Sequence, residues 1–307
     1  MPDVLIIGGS GFIGRNLSTQ LLNADFNVFN FDRPGTCPDE LKTHRAYTFI
    51  PGDFSKTGEL YPLLETRTFT CVLHLVSTLL PGSGYEEFVA GHEVNIDAGI
   101  RLIKKMCATG NNRLLFFSSG GTIYGNNQQK VNDEDSPTSP INYYGYSKLI
   151  FEDFIRLYHL THKLNYIIVR PSNPYGKGQN QDKKQGLIGV TLTKILKNEP
   201  IEIWGDGEIT RDYIYISDLC SAICKLLVAP TWNHIYNISS GKGHSVNRIV
   251  EEIRNVTGRQ FKVNYLPGRA VDIPVNILNS DKIRKQTGWK PEISLHEGIA
   301  RLWTELQ

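Results

Sequence analysis

The 307-residue chain predicts an α/β protein: a doubly wound, mostly parallel sheet with a smaller, interleaved C-terminal α/β lobe. Three observations carry this. Short apolar runs alternate with segments of helical period. The first run, Val4–Ile7, passes directly into Gly8-Gly9-Ser10-Gly11-Phe12-Ile13-Gly14, a glycine turn at a strand-to-helix junction. After Arg170, a region rich in Pro and Gly breaks the alternation.

In chain order, Val4–Ile7 is the first strand and Gly11–Asn23 its helix. Asn27–Phe31, Tyr47–Pro51 and Cys71–Leu75 follow as strands. Glu86–Ala108 carries one long helical pattern and Arg113–Phe117 a strongly apolar strand. Tyr144–His162 is a helix and Tyr166–Val169 a strand. Repeated βα units require a parallel sheet covered on both faces by right-handed crossovers. Beyond Pro171, Gln179–Gln185 reads as an exposed loop and Leu187–Lys197 as a helix. Ile201–Trp204 and Ile214–Ile216 are short strands, with Asp218 as cap of a helix through Val228. Ile235–Ile238 returns to the main sheet. An Asn247–Thr257 helix, a Lys262–Tyr265 strand and a helical unit from Asp281 complete the chain. The division is 1–170, with returning segments near 212–240, and 171–307.

Composition excludes several classes. With 33 basic and 31 acidic residues the formal charge is +2, and neither a basic arm nor an acidic tail calls for nucleic acid. No apolar stretch approaches the roughly 18 residues of a membrane span. With no apolar leader at the first strand, a cytoplasmic protein is expected. Five cysteines (Cys37, Cys71, Cys107, Cys220, Cys224) form no metal-ligand spacing. His159 and His162 lack the partners of a zinc set, so no metal site is expected.

The glycine turn makes a dinucleotide site concrete. Gly8 takes the tight turn, Gly11 lets backbone approach a pyrophosphate, and Gly14 lets the helix lie close to the sheet. Phe12 and Ile13 open the helix, whose first N–H groups and positive field suit the pyrophosphate. Asp32 ends the second strand, eighteen residues after Gly14, where a ribose-binding carboxylate is expected; it favours NAD over NADP. Arg33 stands where it could approach a phosphate, or is a solvated turn charge. Asp53 could contact adenine, with Phe54 adding backbone or stacking contacts. Ser77 follows the fourth strand, within reach of pyrophosphate or nicotinamide ribose. The Pro171–Tyr175 segment shapes the nicotinamide side.

The reacting groups sit on one helix. Tyr144 and Lys148 are one turn apart on the same face. The lysine charge is expected to lower the tyrosine pKa and grip the nicotinamide ribose, leaving Tyr144 to remove a hydroxyl proton. A helping hydroxyl is expected from Ser118, Ser119 or Thr122, at the C-terminal mouth of the Arg113–Phe117 strand. Tyr124 is a packing tyrosine or a substrate contact.

These motifs together resemble the extended short-chain dehydrogenase/reductase family, in its NAD-dependent nucleotide-sugar epimerase/dehydratase group, closest in pattern to the UDP-glucose 4-epimerases. The resemblance spans nearly the whole chain. Beyond the glycine turn and Asp32 it rests on His74-Leu75-Val76-Ser77, Tyr144-Gly145-Tyr146-Ser147-Lys148, Arg170–Gly176, Arg211–Leu219 and Arg269…Asp272. It implies a Rossmann-type fold, tightly bound NAD regenerated each turnover, and reversible C4 epimerisation of a nucleotide-diphosphate hexose, UDP-hexose favoured. The runner-up is a 4-ketoreductase or dehydrogenase; a dehydratase or a noncatalytic binder ranks lower. It places Leu75 and Asn95 beside the cofactor. It assigns Arg211 and Arg269 to the substrate diphosphate, Asn173 to the diphosphate or adjacent sugar, Asp272 to the nucleoside ribose or Arg269, and Gln179 and Leu187 to the substrate loop. The family's usual catalytic hydroxyl falls on Gly120, which the resemblance sets with Thr122 and Tyr124 against the substrate, leaving Thr122 first and Ser119 second as replacement. The Asp-Glu pair of a dehydratase is replaced by Gly121-Thr122. The resemblance also implies a homodimer built on the Glu86–Ala108 and Tyr144–His162 helices.

Overall fold

The computed structural model describes residues 1–126, 129–179, 186–268 and 273–307. Seven strands form one parallel sheet in the spatial order His234–Ile238, Asn165–Pro171, Arg113–Phe117, Cys71–His74, Asp3–Ile7, Asn27–Asp32, Tyr47–Pro51. Chain order reverses between Asp3–Ile7 and Cys71–His74, and ligands in open α/β sheets bind beyond the strand C-termini at such a switch point. The glycine turn leaves Ile7, the 75–78 segment leaves His74 and Ser118 follows Phe117, so all three open at that crevice.

The central strands are apolar on both faces because helices cover both. Leu5, Ile7, Val72, Leu114 and Ile168 pack with Leu102, Met106, Phe151 and Ile155 on one side. Val4, Ile6, Leu73, Leu115 and Val169 pack with Leu17, Leu21, Leu219 and Ile223 on the other. A five-stranded sheet lies apart from the main one. Its core is Thr210–Tyr215, flanked by Gly243–Ser245 antiparallel and by Val275–Leu278 and Asn173–Tyr175 parallel; Val131–Asn132 pairs Val275–Leu278. Ile201–Trp204 and Val263–Leu266 make a small parallel pair.

Four local expectations change. The 86–108 pattern is not one α-helix: Tyr85–His92 and Ala98–Thr109 flank a π-helical turn, Glu93–Asp97. The strand expected at 214–216 begins at Thr210, and Ile216 already opens the helix Ile216–Val228. Asp218 is not its cap, since it lies inside the first turn and accepts the N–H groups of Glu292 and Ile293 at 3.1 and 2.9 Å. The helices Tyr61–Thr66 and Leu295–Leu306 and several two- to four-residue strands fall outside the sequence reading.

One buried ion pair ties helix to sheet. Glu152, on the helix Tyr143–His162, is 0% exposed, and Arg170, on the strand Asn165–Pro171, is 2% exposed. Arg170 Nε and Nη2 donate to the two Glu152 oxygens at 3.0 and 2.6 Å. Arg170 Nη1 reaches Tyr124 Oη at 3.1 Å, and Tyr124 donates to Asn237 Oδ1 at 2.6 Å. Removing one partner of such a pair strands a buried charge. Glu152→Ala should therefore cost about 3–5 kcal/mol in urea unfolding, and Glu152→Leu with Arg170→Met far less. Equal losses in both would show that the charges are not what the pair contributes.

Candidate active site

The glycine turn is clamped from below. Gly8 has φ +85°, open to glycine at no steric cost. A methyl at position 14 would lie 2.5 Å from Gly9 Cα, so helix and turn touch backbone to backbone. At position 11 the nearest atom is Gly8 O, 3.7 Å away, leaving that face open to a ligand. Asn30, buried mid-strand, accepts from Gly9 N at 2.9 Å and donates to Ser10 Oγ and Tyr47 Oη at 3.0 and 2.7 Å. Sequence reasoning missed it; the available signal was a polar residue inside an apolar strand.

Asp32 comes to the same turn. Its oxygens accept Ser10 N and Arg33 N at 2.9 and 2.8 Å, which orients the carboxylate and leaves lone pairs for hydroxyls. Arg33 is exposed, and its carbonyl closes a turn with Thr36. Asp53 accepts Ser55 N, the bond that chiefly holds its pKa below the ordinary value. The Phe54 ring lies in the core with its centroid 4.9 Å from that of His74, so the expected stacking on adenine is ruled out and only its backbone remains. His74 is buried among Phe54, Phe116 and Phe151, and burial drives its pKa down to about 3, leaving the imidazole neutral at neutral pH.

Behind His74, Leu75 N donates to Ile7 O at 3.0 Å. Ser77 Oγ bonds the Leu79 carbonyl at 3.1 Å. Asn95, in the π-helical turn, accepts Thr78 N at 2.9 Å and donates to Thr78 Oγ1 and Gly91 O at 2.6 and 2.7 Å. Its carboxamide is spent on holding this loop, which suits support rather than ligand contact.

On the reacting side, Lys148 is buried and donates to Phe117 O at 3.0 Å. Burial lowers its pKa to about 8, against an opposing pull from Glu152 one turn on. Burial raises Tyr144 to about 12, a rise that the Ser119 hydroxyl opposes. Lys148 Nζ lies 5.6 Å from the Tyr144 ring centroid. Of the candidate hydroxyls, Ser119 is the one that opposes the rise of Tyr144, while Thr122 Oγ1 is buried with no hydrogen-bond partner among the described residues.

Two further expectations fail. Tyr124 is 0% exposed and committed to Arg170 and Asn237, so it is a packing and network residue and not a substrate contact. A side chain at Gly120 would overlap Leu278 and lie 2.9 Å from Arg170 O. Position 120 thus faces the interior, and its N–H and carbonyl bond Pro171 O and Asn276. Asn173 lies beside Gly121 and donates to Asp212 O at 2.7 Å. Arg211 Nη1 donates to the Thr210 and Ile273 carbonyls at 2.9 and 2.6 Å. Gln179 keeps a buried Oε1, while Leu187 packs against the core. Arg269 and Asp272 lie outside the described residues.

Among the described residues, buried Ser118 Oγ and Thr122 Oγ1 have no hydrogen-bond partner. Orphaned polar atoms at the mouth of a sheet, an open Gly11 and an oriented Asp32 fit a polar dinucleotide. The model of the NAD dependent epimerase/dehydratase family matches residues 4–239.

The chain belongs to that family.

This member is therefore NAD-dependent, an extended short-chain dehydrogenase/reductase by fold and motif. It is 32% identical to the dTDP-4-dehydro-6-deoxyglucose reductase of Escherichia coli over 97% of this chain and 96% of the relative. The UDP-glucose 4-epimerase of Thermotoga maritima with UDP-glucose superposes at TM-score 0.92, with 26% identity over 99% of this chain and 98% of that one. That of Thermus thermophilus in complex with NAD gives 0.89, with 27% identity over 98% of each. Among the described residues no helix is long and apolar enough to cross a membrane, and no cluster of three or more His, Cys, Asp or Glu could hold a metal.

The two glycines separate packing from ligand approach. Gly14→Ala should lose roughly 1–3 kcal/mol or more through overpacking. Gly11→Ala should melt as the parent does yet bind NAD more weakly in calorimetric titration. Unaltered NAD affinity in Gly11→Ala would place the pyrophosphate elsewhere.

Proposed function

We propose that this family member is an NAD-dependent nucleotide-sugar 4-epimerase interconverting C4 stereoisomers of a nucleotide-diphosphate hexose, a UDP-hexose before others. The observation that carries the reading is Tyr144 one helical turn before buried Lys148, which reaches Phe117 O at the switch-point crevice. Gly121-Thr122 stand where a dehydratase would need its acid–base pair. The UDP-glucose bound in the Thermotoga maritima neighbour supports the substrate class.

Bound NAD supplies the hydride acceptor and, once reduced, the donor. It would be held by the turn at Gly8–Gly14, by Asp32 at a ribose and by Lys148. Tyr144 takes the 4-hydroxyl proton as the C4–H bond breaks, giving a 4-keto sugar. After that sugar turns over, Tyr144 returns the proton to the new 4-oxygen. Ser119 stabilises the phenolate by hydrogen bonding, which the burial-raised pKa of about 12 makes necessary. Asn173 and Arg211 would anchor the diphosphate, guanidinium matching phosphate oxygens. Arg269 and Asp272 are assigned to the same anchor by sequence.

A 4-ketoreductase is the second reading, favoured by the Escherichia coli relative. We also propose a homodimer through the Tyr85–Thr109 and Tyr143–His162 helices, whose Tyr85, Val89, Tyr146, Leu157 and Leu160 are exposed. A single-chain mass at every concentration in sedimentation velocity would refute it.

With a nucleotide-sugar panel and chiral product analysis, redox-neutral interconversion of one C4 pair is expected. Tyr144→Phe should lose about 10²–10⁴-fold in kcat with NAD still bound. Stoichiometric consumption of added NADH would establish the reductase instead, and undiminished turnover by Tyr144→Phe would remove the proposed base.

A further inference from the structure

The turn that presents Ser119 is held by a strand from the other sheet. Asn276, buried on Val275–Leu278, donates its two amide hydrogens to the consecutive carbonyls of Gly120 and Gly121, at 3.1 and 3.0 Å. Its Oδ1 accepts from Asn132 Nδ2 at 3.4 Å. Leu278, two residues on, fills the space that a side chain at 120 would take. Adjacent glycines are the most permissive backbone a chain can place, so pinning both carbonyls removes freedom where Ser119 most needs a fixed direction. The Gly120 N–H bond to Pro171 O and the Ile123 N–H bond to Ser119 O close the remaining sides.

The same strand meets the diphosphate anchor. Asn276 is the register partner of Arg211 on the neighbouring strand. Arg211 Nη1 bonds Ile273 O at 2.6 Å, and Thr210 N bonds Pro274 O at 2.8 Å, just ahead of Val275. We propose that Asn276 is a positioning residue that couples occupation of the nucleotide-diphosphate site to the direction in which the Gly120–Gly121 turn presents Ser119. The proposal rests on the epimerase reading for what Ser119 does, but not for the coupling itself. Asparagine is the side chain suited to the place. Aspartate would set a carboxylate against two carbonyls, and leucine would leave both carbonyls buried and unpaired. Substrate binding far from the reacting carbon would thus contribute to alignment at it.

The test uses the full chain with UDP as the probe. In the parent, UDP should slow amide hydrogen exchange at Gly120–Thr122. In Asn276→Ala, UDP should bind within about twofold of the parent yet give no such slowing, while kcat falls about 10- to 100-fold with little change in KM. Ser119→Ala should lose a similar factor, and the double variant no more than either single one, because both remove one interaction. Losses that multiply, an Asn276→Ala protein with parental kcat, or an exchange pattern in the parent that ignores UDP would each overturn the coupling. The parent exchange measurement stands even if Asn276→Ala does not fold. UDP-dependent protection without epimerisation of any sugar would refute the epimerase reading and leave the coupling intact.

Discussion

The Glu152–Arg170 pair is the interaction on which the site depends. Glu152 sits one turn beyond Lys148 and two beyond Tyr144, on a helix held to the sheet by apolar packing and by the Lys148 bond to Phe117 O. Apolar contact tolerates small slides, whereas a bidentate ion pair in the interior does not. It fixes both axial position and rotation, because both oxygens must face the guanidinium fork. The network then runs through Tyr124 to Asn237, whose N–H bonds Glu134 at 2.8 Å, so the outermost parallel strand and the loop leading to Tyr144 answer to the same arginine. Burying an ion pair is seldom a net gain in stability. Here it fixes the helix that carries Tyr144 and Lys148 at the mouth of the sheet.

Burial sets the chemical problem of the site. It pushes Tyr144 up to about 12 and Lys148 down to about 8, so desolvation alone favours the neutral form of each. The protein offsets this with specific partners: Ser119 for the phenol, Glu152 for the ammonium. The Gly120–Gly121 turn between Ser119 and Thr122 is gripped by Asn276 and Leu278, and Thr122 Oγ1 is buried without a hydrogen-bond partner among the described residues.

Much of this was legible in the chain. Val4–Ile7 running into Gly8–Gly14 fixes a strand, a turn and a helix by local rules, and Asp32 follows at the distance the βαβ unit imposes. Tyr144 and Lys148 share a face by helical period alone. What was not legible shares a cause: it depends on neighbours far away in sequence. Nothing local distinguishes Tyr124 as a ligand contact from Tyr124 as the partner of Asn237, 113 residues on. The π-helical turn at Glu93–Asp97 is invisible to a 3.6-residue period that both flanking helices obey. Val131–Asn132 is too short to read as a strand until Val275–Leu278 lies beside it.

The sequence by itself determined the parallel sheet, the dinucleotide turn and the Tyr144–Lys148 pair, since each follows from periodicity or from backbone sterics within a few residues. Tertiary structure alone decided the shape of the turn that presents Ser119 and Thr122. That two-glycine turn is held by Asn276 and Leu278, more than 150 residues away. Local propensity leaves such a turn free, and only long-range hydrogen bonds and packing select one conformation from it.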